Sequence, residues 1–214
     1  MLPEITLAAL FLLVSFQLIL ARRLRTAVGA YQLQSWLLGG ISIALFVDTH
    51  LLGLLAFGLL IVVLKGLAIP TLLRRRMGFA LTAGRESAYY VGFPTALLVG
   101  AALCLAGFIA ASRIPSPSRL LPEAVLGIGI AVLLLGLFTT TARRDGVLQM
   151  GGLLVAENGL LLIGLVLAPR LSLLIEFALV LDVLIAVVVM AFLLARMHEA
   201  VASTDTSELT RLRG

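Results

Sequence analysis

Cysteine and histidine are scarce in this sequence, and each scarcity excludes a kind of chemistry. The single Cys104 has no second cysteine in the chain with which to form a disulfide or a cysteine metal site. The two histidines, His50 and His198, are separated by most of the chain. No glycine-rich loop follows a strand pattern, and no serine, histidine and aspartate can converge. The sequence therefore predicts no catalytic centre and no metal or cofactor site of its own.

Apolar residues are abundant instead. They make up 61% of the 214 residues, against roughly 45–50% in ordinary soluble proteins, and the mean hydropathy is +1.16. They fall into blocks close to the ~20 residues that cross the ~30 Å hydrocarbon core of a bilayer as a helix. Because lipid offers backbone groups no partner, we predict an all-α polytopic membrane protein. The predicted seven transmembrane helices are Leu2–Leu20, Val28–Val47, Leu51–Leu73, Ala88–Ala111, Leu121–Thr141, Val147–Leu167 and Leu171–Ala195.

The 16 basic residues indicate the orientation of these spans, because arginine and lysine are retained on the cytoplasmic side. Lys65 lies within the third span. One side carries Arg22, Arg23, Arg25, Arg74, Arg75, Arg76, Arg85, Arg143, Arg144, Arg196, Arg211 and Arg213, and the other carries Arg113, Arg119 and Arg170. We therefore expect the N-terminus outside and the C-terminus in the cytoplasm. The net charge of +5 then reflects topology, and no nucleic-acid partner is expected.

The predicted organisation is a single transmembrane domain over residues 1–214. It comprises a four-helix N-terminal part, 1–111, a three-helix part, 121–195, and a cytoplasmic tail, 197–214. Neither the loop Arg74–Ser87 nor the tail is long enough to fold alone. The tail forms either a short helix on the cytoplasmic face, which would dock a neighbouring subunit, or a frayed end.

Charged residues within the spans are the candidates for function, because a charge in the bilayer costs several kcal/mol unless it is paired, hydrated or neutralised. At 1.5 Å per residue, Lys65, Glu157 and Asp182 lie roughly 12, 15 and 20 Å from the cytoplasmic ends of their helices. These three residues are expected to share one layer. Glu176 is roughly 8 Å from the outer end of its helix and resembles an outer port.

Two interpretations of this layer remain open. Two carboxylates and one amine at one depth could form a proton path, in which Lys65 stabilises one carboxylate at a time. Alternatively, they form a buried ion pair that only specifies helix packing. Pro70 removes the N–H that would bond the carbonyl of Gly66, which predicts a loosened, more polar backbone beside the lysine. Asn158 is expected to hydrogen-bond Glu157 through a neighbour or a water molecule.

Glycine and alanine residues near Glu157 predict a close helix contact. Gly152, Ala156 and Gly159 fall on one helix face in the small-xxx-small pattern, which lets two membrane helices approach closely.

A family resemblance follows from several of these residues in their order along the chain. The segments are Tyr31-Gln-Leu-Gln-Ser35, Lys65 followed by Pro70, Arg144 to Gln149, Glu157-Asn158-Gly159, Glu176, Asp182 with the apolar run through Met190, and Asp205 to Gly214. In this order they resemble hydrogenase-4 component E, a membrane subunit of formate-hydrogenlyase-type complexes related to respiratory complex I. Residues 121–195 also resemble the three-helix K-type subunit of complex I, in which Glu157 matches the first membrane glutamate. Either Glu176 or Asp182 matches the second.

This resemblance implies a non-catalytic subunit in the membrane arm of an oxidoreductase complex in the cytoplasmic membrane of a bacterium or archaeon. Its implied partners are antiporter-like membrane subunits and peripheral hydrogenase-like subunits, and the latter would carry the nickel–iron and iron–sulfur clusters. The buried charges would help to couple electron transfer to proton or sodium movement. A purely structural scaffold and a stand-alone secondary transporter are the alternatives.

Overall fold

The computed structural model describes residues 2–21, 23–76, 92–114, 121–143 and 146–167, all within the unit Met1–Ala178. Regular structure in these ranges is helical. A π-helical segment, Leu64–Ala68, joins α3 to α4 without a break, so these three elements form one rod. The α-helices are α1 Leu2–Leu20, α2 Leu24–Thr49, α3 Leu52–Val63, α4 Ile69–Arg76, α5 Phe93–Ala111, α6 Glu123–Ala142 and α7 Gly146–Leu167.

Five stretches of the described chain are long and apolar enough to cross a membrane. They are Arg25–Thr49, Leu52–Arg75, Phe93–Ala111, Glu123–Ala142 and Leu148–Leu167, and a shorter apolar stretch, Glu4–Leu18, lies in α1. The five long stretches coincide with the second to sixth predicted spans, which confirms the prediction of long apolar helices there and supports a membrane protein. The seventh predicted span, Leu171–Ala195, lies outside the described residues. The count of seven, the orientation and the division into parts remain predictions.

The helix ends reflect the local sequence. His50 ends α2 in the left-handed conformation, with φ 56°, and its N–H bonds the carbonyl of Phe46 at 2.7 Å. This closes the helix and lets the chain turn directly into α3. Helix α5 begins only at Phe93, after an extended Gly92 and with a proline in its first turn, where proline's missing N–H costs nothing.

Helices α6 and α7 approach each other through facing small residues. A Cβ atom on Gly152 would lie 2.7 Å from the Thr140 backbone nitrogen, and one on Gly159 would lie 2.5 Å from that of Leu133. Gly136 of α6 faces the backbone of Ala156. The predicted close-packing face of Gly152, Ala156 and Gly159 is therefore confirmed. Neighbouring backbone atoms occupy the space in which larger side chains would lie.

Helices α1 and α6 run in the same direction, and their carboxyl ends meet. The Arg143 guanidinium, fully buried at the end of α6, donates from Nη2 to the carbonyl oxygens of Leu18 and Ala21 at the end of α1. A cation at this position adds a donor for the last carbonyls of α1 and complements the negative end of the helix dipole. Gln149 of α7 in turn donates to the Arg143 carbonyl at 2.8 Å.

Two neighbouring glycines of α7 provide a test of the α6–α7 contact. Gly152→Ala should destabilise the folded chain by about 1–3 kcal/mol, because the added methyl overlaps backbone atoms that cannot move aside. Gly151→Ala should change stability by less than about 1 kcal/mol, because no atom beyond the neighbouring backbone of its own helix lies within 4 Å of its Cβ position. Thermal unfolding of the purified chain in detergent measures both. Equal effects of the two substitutions would contradict the proposed contact.

Candidate functional site

The π-helical segment places Lys65 inside the protein. The backbone N–H of Ile69 bonds the carbonyl of Leu64, five residues earlier, so one turn of the rod is wider than an α-helical turn. Pro70 follows directly and has no N–H to donate to the wide turn. The Lys65 side chain is 1% exposed. The predicted loosening of the backbone beside the lysine takes the form of this π-helical turn.

Gln32 of α2 supplies a hydrogen bond that Pro70 cannot supply. Its side-chain Nε2 donates to the carbonyl oxygen of Gly66 at 2.8 Å. Arg74, two turns further along the rod, donates to Gln32 Oε1 at 2.5 Å. The amide of Gln32 therefore has its nitrogen towards the π-helical turn and its oxygen towards the arginine, and it ties α2 to α4.

Lys65 and Glu157 form an ion pair in the interior of the described bundle. Lys65 Nζ lies 3.1 Å from Glu157 Oε2, and the two side chains are 1% and 3% exposed. The depth argument placed these residues in one layer on different helices, and the structure brings them into contact. At this distance in a medium of low dielectric, the attraction between the opposite charges is much stronger than in water.

Asn158 completes the immediate surroundings of the ammonium. Lys65 Nζ donates to Asn158 Oδ1 at 2.9 Å, and Asn158 is fully buried. Consecutive residues of an α-helix point roughly 100° apart, so Glu157 and Asn158 flank the lysine from two directions. Lys65 therefore lies between Asn158 and Glu157 and contacts both side chains.

The polar cluster continues from Asn158 into α2 and α1. Asn158 Nδ2 donates to Gln34 Oε1 at 3.1 Å and to Ser35 Oγ at 3.4 Å. Gln34 Nε2 donates to Ser15 Oγ at 2.7 Å. All three of these partners are at most 1% exposed. We call Ser15, Gln34, Ser35, Lys65, Glu157 and Asn158 the buried polar cluster.

Some of the residues described above were not singled out as site residues from the sequence. Ser15, Gln34 and Arg143 carry no signal of depth or partner on their own, although a glutamine within an apolar span is itself unusual. The other predicted site residues, Glu176 and Asp182, lie outside the described residues. Their roles as proton-translocation candidates remain predictions. In the part of the chain that the structure describes, no three His, Cys, Asp or Glu side chains are grouped so as to hold a metal ion.

Comparisons with known proteins find distant relatives that match nearly the whole chain. No protein-family model and no solved structure matches it. An uncharacterized protein of Mycobacterium tuberculosis is 29% identical over 201 residues, which cover 94% of this chain and 91% of that protein. Hydrogenase-4 component E of Escherichia coli and of Shigella flexneri is 27% identical over 209 residues, covering 97% of this chain and 96% of the relative. The chain is a distant relative of hydrogenase-4 component E.

The length of the match matters as much as its identity. It spans nearly the whole chain and nearly the whole of hydrogenase-4 component E, so the relationship is not limited to a few charged helices. The family resemblance drawn from the residues is thereby supported as a distant one. Together with the apolar helices, it indicates a multi-pass membrane protein related to a hydrogenase component.

A double substitution separates the energetics of the ion pair from those of its parts. Lys65→Met should destabilise the chain by roughly 3–5 kcal/mol, because it leaves the carboxylate of Glu157 buried without the ammonium. Lys65→Met combined with Glu157→Gln should be less destabilising than Lys65→Met alone, since the buried carboxylate that lost the ammonium is then replaced by a neutral amide. Thermal unfolding of Lys65→Met, Glu157→Gln and the double variant measures this. Additive losses would show that the two charges do not interact.

Gln32→Leu tests the hydrogen bond to the π-helical turn. It should destabilise the chain by about 1–3 kcal/mol, because the buried Gly66 carbonyl loses its donor. Gln17→Leu, a matched change at an exposed position of α1, should have little effect. Denaturation midpoints in the same detergent give the comparison. If the two variants are equally stable, the Gln32 bond does not support the turn.

Proposed function

We propose that this chain is a membrane subunit of a hydrogenase-type complex, and that its Lys65–Glu157 pair takes part in coupling electron transfer to proton translocation. The observation that carries the proposal is the contact itself, at 3.1 Å between two almost fully buried charges on different helices. The distant relationship to hydrogenase-4 component E supports the choice of complex. Sodium is the alternative coupling ion.

The energetics of buried charges favour a role in addition to stability. Removing two charges from water carries a desolvation penalty that their attraction often fails to offset, so well-packed apolar residues would stabilise the fold as well or better. A carboxylate beside an ammonium, however, can bind and release a proton in response to nearby charge. In the proposed function, Glu157 binds a proton when the surrounding charge changes and releases it when the ion pair forms again.

The partners in this proposal are taken from the family resemblance. Antiporter-like subunits would lie beside this chain in the membrane arm. Peripheral hydrogenase-like subunits would hold the nickel–iron and iron–sulfur clusters, and this chain would contribute no catalytic residue. Glu176 or Asp182 would provide the next proton-binding group after Glu157.

A scaffold role is the second candidate, and one observation favours it. The buried polar cluster joins α1, α2, the α3–α4 rod and α7 through direct hydrogen bonds. Such a network specifies one arrangement of helices whether or not any proton moves. The two functions make different predictions for the same substitution.

Glu157→Gln in the assembled complex distinguishes them. We expect the complex to assemble, while proton translocation per turnover falls, because the amide of glutamine cannot bind and release a proton. The measurements are co-purification of the partner subunits and acidification of inverted membrane vesicles during turnover. Glu123→Gln, which changes an exposed carboxylate at the start of α6, is the control and should leave both unchanged.

Two results would contradict the coupling proposal. Full translocation in the assembled Glu157→Gln complex would exclude a proton-binding role for this carboxylate. Loss of assembly in the same variant, with normal coupling in the fraction that does assemble, would favour the scaffold.

A further inference from the structure

The buried polar cluster has a direction, which is set at its α1 end by a backbone carbonyl. A carbonyl oxygen can only accept hydrogen bonds, and Ser15 Oγ donates to that of Phe11 at 2.8 Å. A serine hydroxyl has one hydrogen, so its oxygen must accept from its other neighbour. That neighbour is Gln34 Nε2, at 2.7 Å. The amide nitrogen of Gln34 therefore faces Ser15, and its oxygen faces the opposite way, towards α7.

The orientation of Gln34 determines that of Asn158. Gln34 Oε1 has no hydrogen, so the group that contacts it at 3.1 Å must be the NH2 of Asn158. Ser35 imposes the same requirement independently, because its hydroxyl donates to the Tyr31 carbonyl at 3.0 Å and its oxygen is left as an acceptor for Asn158 Nδ2. Both constraints place the Asn158 carbonyl oxygen on the side of Lys65.

The opposite orientation of the amide would be unfavourable at both ends. It would bring the Asn158 NH2 against the Lys65 ammonium, donor against donor, and its oxygen against Gln34 Oε1, acceptor against acceptor. Since all of these groups are buried, water cannot relieve either clash. The lysine end and the serine end of the cluster therefore select the same orientation.

We propose that Gln34, Ser15 and Ser35 are positioning residues. They hold the Asn158 amide with its carbonyl oxygen towards Lys65. The consequence rests on the proposed function. When Glu157 binds a proton and becomes neutral, Lys65 still has an uncharged acceptor at 2.9 Å and stays in place. The amides then hold the lysine side chain without themselves carrying protons.

The composition of the chain allows a direct measurement. Lys65 is its one lysine and Asn158 its one asparagine, so labelling with ¹⁵N-lysine and ¹³C-asparagine by cell-free synthesis marks a single pair of side chains. With the 2.9 Å hydrogen bond between Lys65 and Asn158 in place and a carbonyl bond of about 1.2 Å, Lys65 Nζ and Asn158 Cγ are at most about 4.1 Å apart, and loss of this bond lets them separate. Solid-state nuclear magnetic resonance of the full chain in lipid bilayers measures this distance.

The decisive variant is Gln34→Leu combined with Ser35→Ala, which removes both acceptors of the Asn158 NH2. We expect the measured distance to exceed the native limit or to become a broad distribution. The matched control is Gln17→Leu combined with Ser42→Ala. It changes an exposed glutamine of α1 and a buried serine whose hydroxyl donates to the Leu54 carbonyl, and it should keep the native distance.

A conservative variant provides a rescue. Ser15→Thr keeps the hydroxyl that orients Gln34 and should preserve the distance, whereas Ser15→Ala should lengthen or broaden it. A native distance in the Gln34→Leu, Ser35→Ala chain would overturn the proposal. Equal disturbance of the distance in the matched control would overturn it as well, because the effect would then be one of general packing.

The result of the distance measurement is independent of the Glu157→Gln test of coupling. If the distance responds as expected and Glu157→Gln still translocates protons, the positioning role stands and the coupling role fails. If the distance does not respond and Glu157→Gln loses translocation, coupling stands and Gln34 has no positioning role.

Discussion

The ammonium group of Lys65 sets the constraint on which the arrangement of this protein depends. It lies within a rod long and apolar enough to cross a membrane, where lipid offers no partner to a cation. Glu157 and Asn158 of α7 supply the partners, at 3.1 and 2.9 Å. The helices must therefore lie close enough, and in the correct rotation, for these short contacts to form.

Helix α7 meets this requirement because its two sides make different contacts. One side carries Gly152, Ala156 and Gly159 and lies against the backbone of α6. Glu157 and Asn158, which follow Ala156, point away from that contact by roughly 100° and 200° and belong to the buried polar cluster. Close packing without intervening side chains leaves α7 little freedom to rotate, so the same contact that joins the helices also aims Glu157 and Asn158.

The rod and α2 show how a membrane protein accommodates a proline next to a charge. The π-helical turn leaves the Gly66 carbonyl beside a proline that has no N–H, and a glutamine of the neighbouring helix supplies the donor. Two residues along α2, Gln34 uses its amide in a different way and orients Asn158. Gln32 thus donates to a backbone carbonyl of the rod, while Gln34 acts on the Lys65 side chain of the rod through Asn158. Both bonds tie α2 to the elements that hold the buried pair.

Hydropathy alone determined the helical class and the approximate extent of the spans, because the need to satisfy backbone groups in lipid leaves a long apolar segment no other conformation. Depth counting also placed Lys65 and Glu157 in one layer, since helical rise is constant. The rotation of each helix about its axis and the partner of each buried polar side chain could not be predicted in this way. Three contacts depend on groups distant in sequence: the bond between Asn158 and the lysine, the orientation of Asn158 by Gln34, and the capping of α1 by Arg143. Only tertiary packing brings those groups within hydrogen-bonding distance.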